Sequence, residues 1–133
     1  MDNQTESLRR QSGVLPVYGG RVVLVSARRS GRWIIPKGHV ERGMSAADSA
    51  AKEALEEAGL TGRVAAGAIG SYTYRRQSGL FLVEVFPFDV EELLGEWHEM
   101  GFRRRTVVTP EEASGMVFPG ELGDMITAYF GAA

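Results

Sequence analysis

The sequence has 133 residues, 44% of them hydrophobic, enough to bury one real core and short for two domains. Its 17 acidic and 15 basic side chains leave a net charge of -2, so no overall field draws the chain to nucleic acid or to an anionic membrane. Cysteine is absent, which excludes disulfides, thiolate nucleophiles and cysteine-held zinc, and no apolar run approaches the ~20 residues of a membrane span.

Residues 1–12, MDNQTESLRRQS, are mostly polar and read as a flexible tail, leaving 13–133 as a single domain. The tail lacks the apolar centre of a signal peptide, so a soluble cytoplasmic protein is the expectation. Within it, Arg9 and Arg10 are placed to reach back to a ligand. Val14 to Tyr18 and Arg21 to Ser26 are rich in β-branched residues and separated by Gly19-Gly20, which predicts a hairpin. Ala27 to Arg32 is a basic turn, and Trp33-Ile34-Ile35 is a short apolar strand that Pro36 ends by withholding a backbone donor.

Lys37 to Met44 carries two glycines among polar residues, the composition of a loop that makes close backbone approaches. Ser45 and Asp48 have the spacing of a capping pair, so a helix starts at Ser45. Ala47, Ala50, Ala51, Ala54 and Ala58 recur at helical spacing and are small enough to let this helix sit close to what it covers, and Gly59 supplies a left-handed stop. Farther on, Arg63 to Ser71 reads as extended and Tyr72 to Gly79 as a basic hairpin tip. Leu80 to Phe88, LFLVEVFPF, is the most hydrophobic strand and belongs at the centre of a sheet. After the acidic stretch Asp89 to Gly101, another strand is expected over Phe102 to Val108. Thr109-Pro110-Glu111-Glu112 then opens a short helix, and Glu121 to Phe130 forms a last one. Strands and helices that do not alternate regularly predict an α+β domain, with a mixed sheet flanked by helices.

Glu53, Glu56 and Glu57 stand at i, i+3 and i+4, which puts three carboxylates on one helix face, turned away from the alanine stripe. Their mutual repulsion is offset by water, by basic neighbours such as Lys52, or by a hard divalent cation that prefers carboxylate oxygens. The spacing alone leaves these three open, and an ordinary acidic surface would look the same.

The stretch from Gly38 to Leu60, with Lys52-Glu53-Ala54-Leu55-Glu56-Glu57-Ala58-Gly59-Leu60 at its end, closely resembles the Nudix box of the pyrophosphohydrolases and fits its spacing without a gap. Gly19 to Tyr74, Glu96-Trp97-His98-Glu99 and Arg103-Arg104-Arg105 look most like the branch that acts on diphosphoinositol polyphosphates and dinucleoside polyphosphates. The resemblance implies a Nudix fold, a mixed sheet sandwiched between helices, and a hydrolase of phosphoanhydride bonds in a small molecule. It also implies Mg²⁺, with Mn²⁺ as the substitute, held by Glu53, Glu56 and Glu57 beside the Gly38 carbonyl. The proton of the attacking water would go to Glu57 or Glu53 first and Glu99 second. Met44 and Lys52 depart from the box, where a glutamate and an arginine brace the loop against the helix. The expectation is therefore a weaker brace and a looser hold on Glu56, with the three glutamates intact.

Among the basic residues, Lys37 and Arg76 are the first choices for phosphate contact, then Arg28 and Arg10, with His39 in the loop as a further candidate. Tyr72 and Tyr74 alternate on a strand and so share a face. A nucleic-acid polymer and a membrane are not expected partners. The alternative reading is a non-catalytic nucleotide- or phosphate-binding regulatory module that kept the fold while the box decayed at Met44 and Lys52.

Overall fold

In the computed structural model, which describes residues 7–131, eight strands form one sheet with one helix on one face and two on the other. β1 (Leu8–Tyr18) turns through Gly19 and Gly20 into β2 (Arg21–Ser26), with Tyr18 opposite Arg21. Two short strands follow, β3 (Trp33–Ile34) against β2 and β4 (Lys37–His39) against β1. Then come α1 (Ala46–Ala58), β5 (Leu60–Val64) and β6 (Gly70–Arg76). The long β7 (Gly79–Leu93) lies at the centre and pairs with β1, β5 and β6, as its hydrophobicity predicts. β8 (Arg105–Val108) pairs with β2, and α2 (Pro110–Met116) and α3 (Gly120–Gly131) close the chain. The sheet is mixed because β1 and β7 run parallel while the other pairs are antiparallel.

Side-chain alternation divides the core between the two faces of the sheet. Val14, Val23, Phe86 and Phe88 meet Ala50, Ala54 and Ala58 of α1. Their neighbours Leu15, Leu24, Val83 and Val85 point the other way, onto Ala113 of α2 and Leu122 and Ile126 of α3. The alanine stripe gives α1 a close seat on the sheet, and this proximity brings the next helix residues to the end of the central strands.

Several sequence expectations change. Leu8 to Ser12 are not a tail: they extend β1 and pair in parallel with Leu80 to Glu84 of β7, while residues 1–6 lie outside the described residues. A strand partner so far along the chain leaves no local signal. The hairpin tip is confined to residues 77–78, because Tyr72 to Arg76 are paired with β7. Part of the expected glycine loop is strand β4, and the acidic stretch begins as the end of β7. Among the described residues no helix is long and apolar enough to cross a membrane.

Candidate active site

Helix α1 carries the acidic cluster, and its caps are those its sequence predicts. Ser45 has extended backbone and its side chain accepts a hydrogen bond from the Asp48 N–H, satisfying one of the free donors of the first turn. Gly59 ends the helix at φ 65°, in the left-handed region, and returns its N–H to the last carbonyls.

Helical geometry grades the burial of the three glutamates. At 100° per residue, Glu57, Glu53 and Glu56 stand about 60°, about 100° and about 160° from the middle of the Ala50–Ala54–Ala58 stripe. Glu57 is accordingly buried, Glu53 partly so, and Glu56 lies farthest out. The expectation that all three share one outward face is thus corrected: Glu57 borders the core.

Gly38 and Glu53 meet so closely that a β-carbon at Gly38 would overlap the Glu53 carboxyl. The backbone N–H of Lys37 donates to Glu57 Oε1 at 3.1 Å. Strand β4 therefore lies along two carboxyls of α1, and Glu53 and Glu57 are within hydrogen-bonding reach of each other. Burial is the main cause of a Glu57 pKa pushed up to about 8, against the pull of Arg103 and the Lys37 N–H. Glu53 is raised too, first by burial and then by the charge of Glu56. Two carboxyls that resist ionising side by side need a positive partner in order to be anions together.

Arg103 supplies part of that charge. Its Nη2 lies 3.4 Å from Glu57 Oε2, its Nε donates to Glu99 Oε1 at 2.8 Å, and its Nη1 donates to the Ser26 carbonyl. Glu99 is brought to the helix by its own backbone, whose N–H donates to the Glu56 carbonyl. Glu53, Glu57, Glu99 and Arg103 thus form one cluster. From sequence, Arg103 is only one of three consecutive arginines, and the signal that could single it out is its i+4 spacing from Glu99.

An open cleft of about 360 Å³ adjoins this cluster, lined by Arg28, Arg29, Arg103 and Arg104 together with Phe102. The Arg28 guanidinium lies 4.2 Å from the Phe102 ring centroid, and Arg104 is held by backbone bonds with Ser26. Among the described residues Arg28, Arg29 and Arg104 have no carboxylate partner.

The other candidate cations lie elsewhere. The Lys37 side chain points to the opposite side of the sheet, where Nζ donates to Tyr74 Oη, which donates in turn to Gln11 Oε1. His39 follows the same alternation and is exposed near Phe81. Arg10 is paired with Glu84 at 2.9 Å, and Arg76 is exposed beside the β6–β7 tip. Of the tyrosines, Tyr72 is fully buried and Tyr74 stacks on Phe81.

The side chains gathered at the end of α1 offer carboxylate oxygens, which suit a hard divalent cation. Among the described residues no three carboxylates or histidines are already gathered to hold an ion. Glu56 explains part of this, since Lys52 Nζ draws its Oε2 to 3.6 Å. The residues fit such a cation chemically, because a charge between Glu53 and Glu57 would replace the proton that burial otherwise favours.

A family profile for the NUDIX domain matches residues 7–124. The chain is 31% identical over 119 residues to Nudix hydrolase 21, chloroplastic, of Arabidopsis thaliana, covering 82% of this chain and 60% of that protein. It is 31% identical over 101 residues to Nudix hydrolase 16, mitochondrial, of the same plant, covering 70% of this chain and 56% of the relative. The chain thus spans somewhat over half the length of these relatives. Among solved structures it resembles a NUDIX hydrolase from Nitrosomonas europaea, with TM-score 0.78, 18% identity, and 95% and 90% of the two chains covered. A binary complex of C. elegans Ap4A hydrolase has TM-score 0.78 and 19% identity, with 94% and 99% covered.

Proposed function

The chain belongs to the NUDIX domain family, and from that premise we propose that it is a Mg²⁺-dependent hydrolase of phosphoanhydride bonds in polyphosphorylated small molecules. The observation that carries this reading is the contact of Gly38 with Glu53 beside the buried Glu57, next to a cleft in which Arg28, Arg29 and Arg104 have no carboxylate partner among the described residues. Dense negative charge on a substrate suits that cleft, and the carboxylates alone would repel it.

Glu53, Glu56, Glu57 and the Gly38 carbonyl would hold the cation, with Mn²⁺ as the substitute for Mg²⁺. When bound, the ion neutralises the diphosphate and favours ionisation of the attacking water. Glu57 is fixed by the Lys37 N–H and Arg103, which suits a ligand whose orientation must not drift. Glu53 has no ion-pair partner among the described residues and faces Gly38 of β4, so it is the residue assigned to take the proton of the water. Glu99 is bound to Arg103 and is assigned to keep that guanidinium in place. Arg28, Arg29 and Arg104 receive the remaining phosphates. The C. elegans neighbour is named for Ap4A, and dinucleoside polyphosphates and diphosphoinositol polyphosphates lead the substrates to be tried.

Purified protein offered these two classes, nucleoside triphosphates and nucleotide sugars with Mg²⁺ should hydrolyse at least one, and Glu57→Gln should abolish the turnover. Tight, Mg²⁺-independent binding of a nucleotide with no hydrolysis would instead identify a non-catalytic binding module.

A further inference from the structure

The box departs from its family pattern at Met44 and Lys52, yet the loop between β4 and α1 is tied to the helix. Glu41 in that loop is fixed three ways: its N–H donates to Ser49 Oγ at 3.0 Å, its carbonyl accepts from the Met44 N–H at 3.0 Å, and its carboxylate accepts from Lys52 Nζ. Met44 has no charge to offer. We propose that Glu41 and Lys52 form the loop-to-helix brace of this chain, and that Lys52 is a positioning residue for Glu56. The second half of this proposal rests on the reading of Glu56 as a cation ligand.

An exposed ion pair ordinarily contributes little, because two long side chains must be ordered to make it. Here the Glu41 main chain is already anchored at both its N–H and its carbonyl, so less freedom is lost when the carboxylate meets Lys52. Ser49, which receives the N–H, is itself buried on α1, so the anchor is attached to the helix and not to another loop. The ammonium has three donors, enough for two carboxylates at once. Its short contact is with Glu41 and its longer one, 3.6 Å, is with Glu56. The brace is therefore made to the loop, while Glu56 is oriented yet remains free to turn toward an ion.

The cations around the cluster then divide the work. Arg103 serves Glu57 and Glu99 on one side, and Lys52 serves Glu56 and Glu41 on the other. Glu53 lies between them without an ion-pair partner among the described residues.

Two measurements separate the brace from the metal reading. In metal-free protein, amide hydrogen exchange over residues 39–45 should speed up in Glu41→Gln and in Lys52→Met, and stay as in wild type in Lys52→Arg. Arg63→Gln, which removes a distant exposed pair, serves as the control. In calorimetric titrations with Mg²⁺ and no substrate, each of the two disruptive variants should bind about tenfold more weakly. The double variant should be no worse than the weaker single one, because both act on one unit. Adding Met44→Glu should restore binding in Glu41→Gln, where Lys52 still waits for a carboxylate, and not in Lys52→Met.

Unchanged loop exchange in Glu41→Gln overturns the brace. Faster exchange with unchanged Mg²⁺ affinity keeps the brace and overturns the positioning of Glu56, as does recovery of Lys52→Met by Met44→Glu. If wild-type protein binds no Mg²⁺ and hydrolyses nothing, the proposed function fails along with the Glu56 assignment, while the exchange experiment still decides the brace.

Discussion

Gly38 lacks a β-carbon at the point where the Glu53 carboxyl comes to rest. In Gly38→Ala the flexible glutamate must move aside, so the fold survives while the carboxyl is displaced. Turnover should fall about 100-fold with little change in melting temperature, the usual result of a small misplacement of a reacting group. A wild-type rate would remove Glu53 from the chemistry. Glu57 makes a prediction of a different kind. Burial raises its pKa from an ordinary 4.5 to about 8 in the metal-free fold. The folded chain keeps a proton that the unfolded chain releases, so this stabilising contribution is full below about pH 4.5 and lost as pH rises through about 8. Glu53 is shifted in the same direction. The melting temperature of metal-free protein should therefore decline between about pH 5 and about pH 8.5, with a shallower decline in Glu57→Gln. Thermal scans across that range check this, and an identical slope in the variant would assign the effect to other groups.

At the level of elements, the C-terminal end of α1 is where the loop carrying Glu99 docks. Trp97 occupies the space beside Gly59, Arg105 donates to the Ala58 carbonyl at 2.8 Å, and the Glu99 N–H donates to the Glu56 carbonyl at 3.0 Å. The guanidinium of Arg105 is favourable there because carbonyls and negative dipole charge collect at a helix C-terminus. Gly59→Ala forces an L residue into left-handed backbone, which costs about 1 to 2 kcal/mol, before the clash with Trp97 is counted. Urea unfolding should show at least that loss, with a red shift of tryptophan emission and slower turnover as the Glu99 loop loosens. Unaltered emission would mean that Trp97 is not held by the stop. The helix is thus a positioned rod: its alanine stripe sets its depth on the sheet, β4 brings Gly38 to Glu53, and the connection between β7 and β8 brings Glu99 and Arg103 to its C-terminal end.

Across the whole molecule, a net charge of -2 conceals a sharp local separation of charge. Carboxylates gather at the end of α1, and four arginines line the cleft beside them. Removing a charge-assisted contact from the cleft should weaken binding more than chemistry. Arg29→Gln and Arg104→Gln are each expected to raise KM for a polyphosphate roughly tenfold, while kcat stays within about twofold. Steady-state kinetics at two ionic strengths checks this, since the field of the cleft also predicts a kcat/KM that falls with salt. A drop in kcat at constant KM would place these arginines at the reacting bond instead. The Nudix box, the helix with its cap and stop, the hairpin at Gly19-Gly20 and the central hydrophobic strand were all determined by the sequence alone. Each rests on residues within one turn, one strand or one short register, where spacing is itself the geometry. Only the tertiary structure decided that Leu8 to Ser12 form a strand, that Arg103 bridges Glu57 and Glu99, that Glu41 pairs with Lys52, and that the Lys37 side chain faces away from the glutamates. Those facts depend on partners distant in the chain and on which face of a strand a residue occupies, and strand pairing sets both only once the sheet has formed.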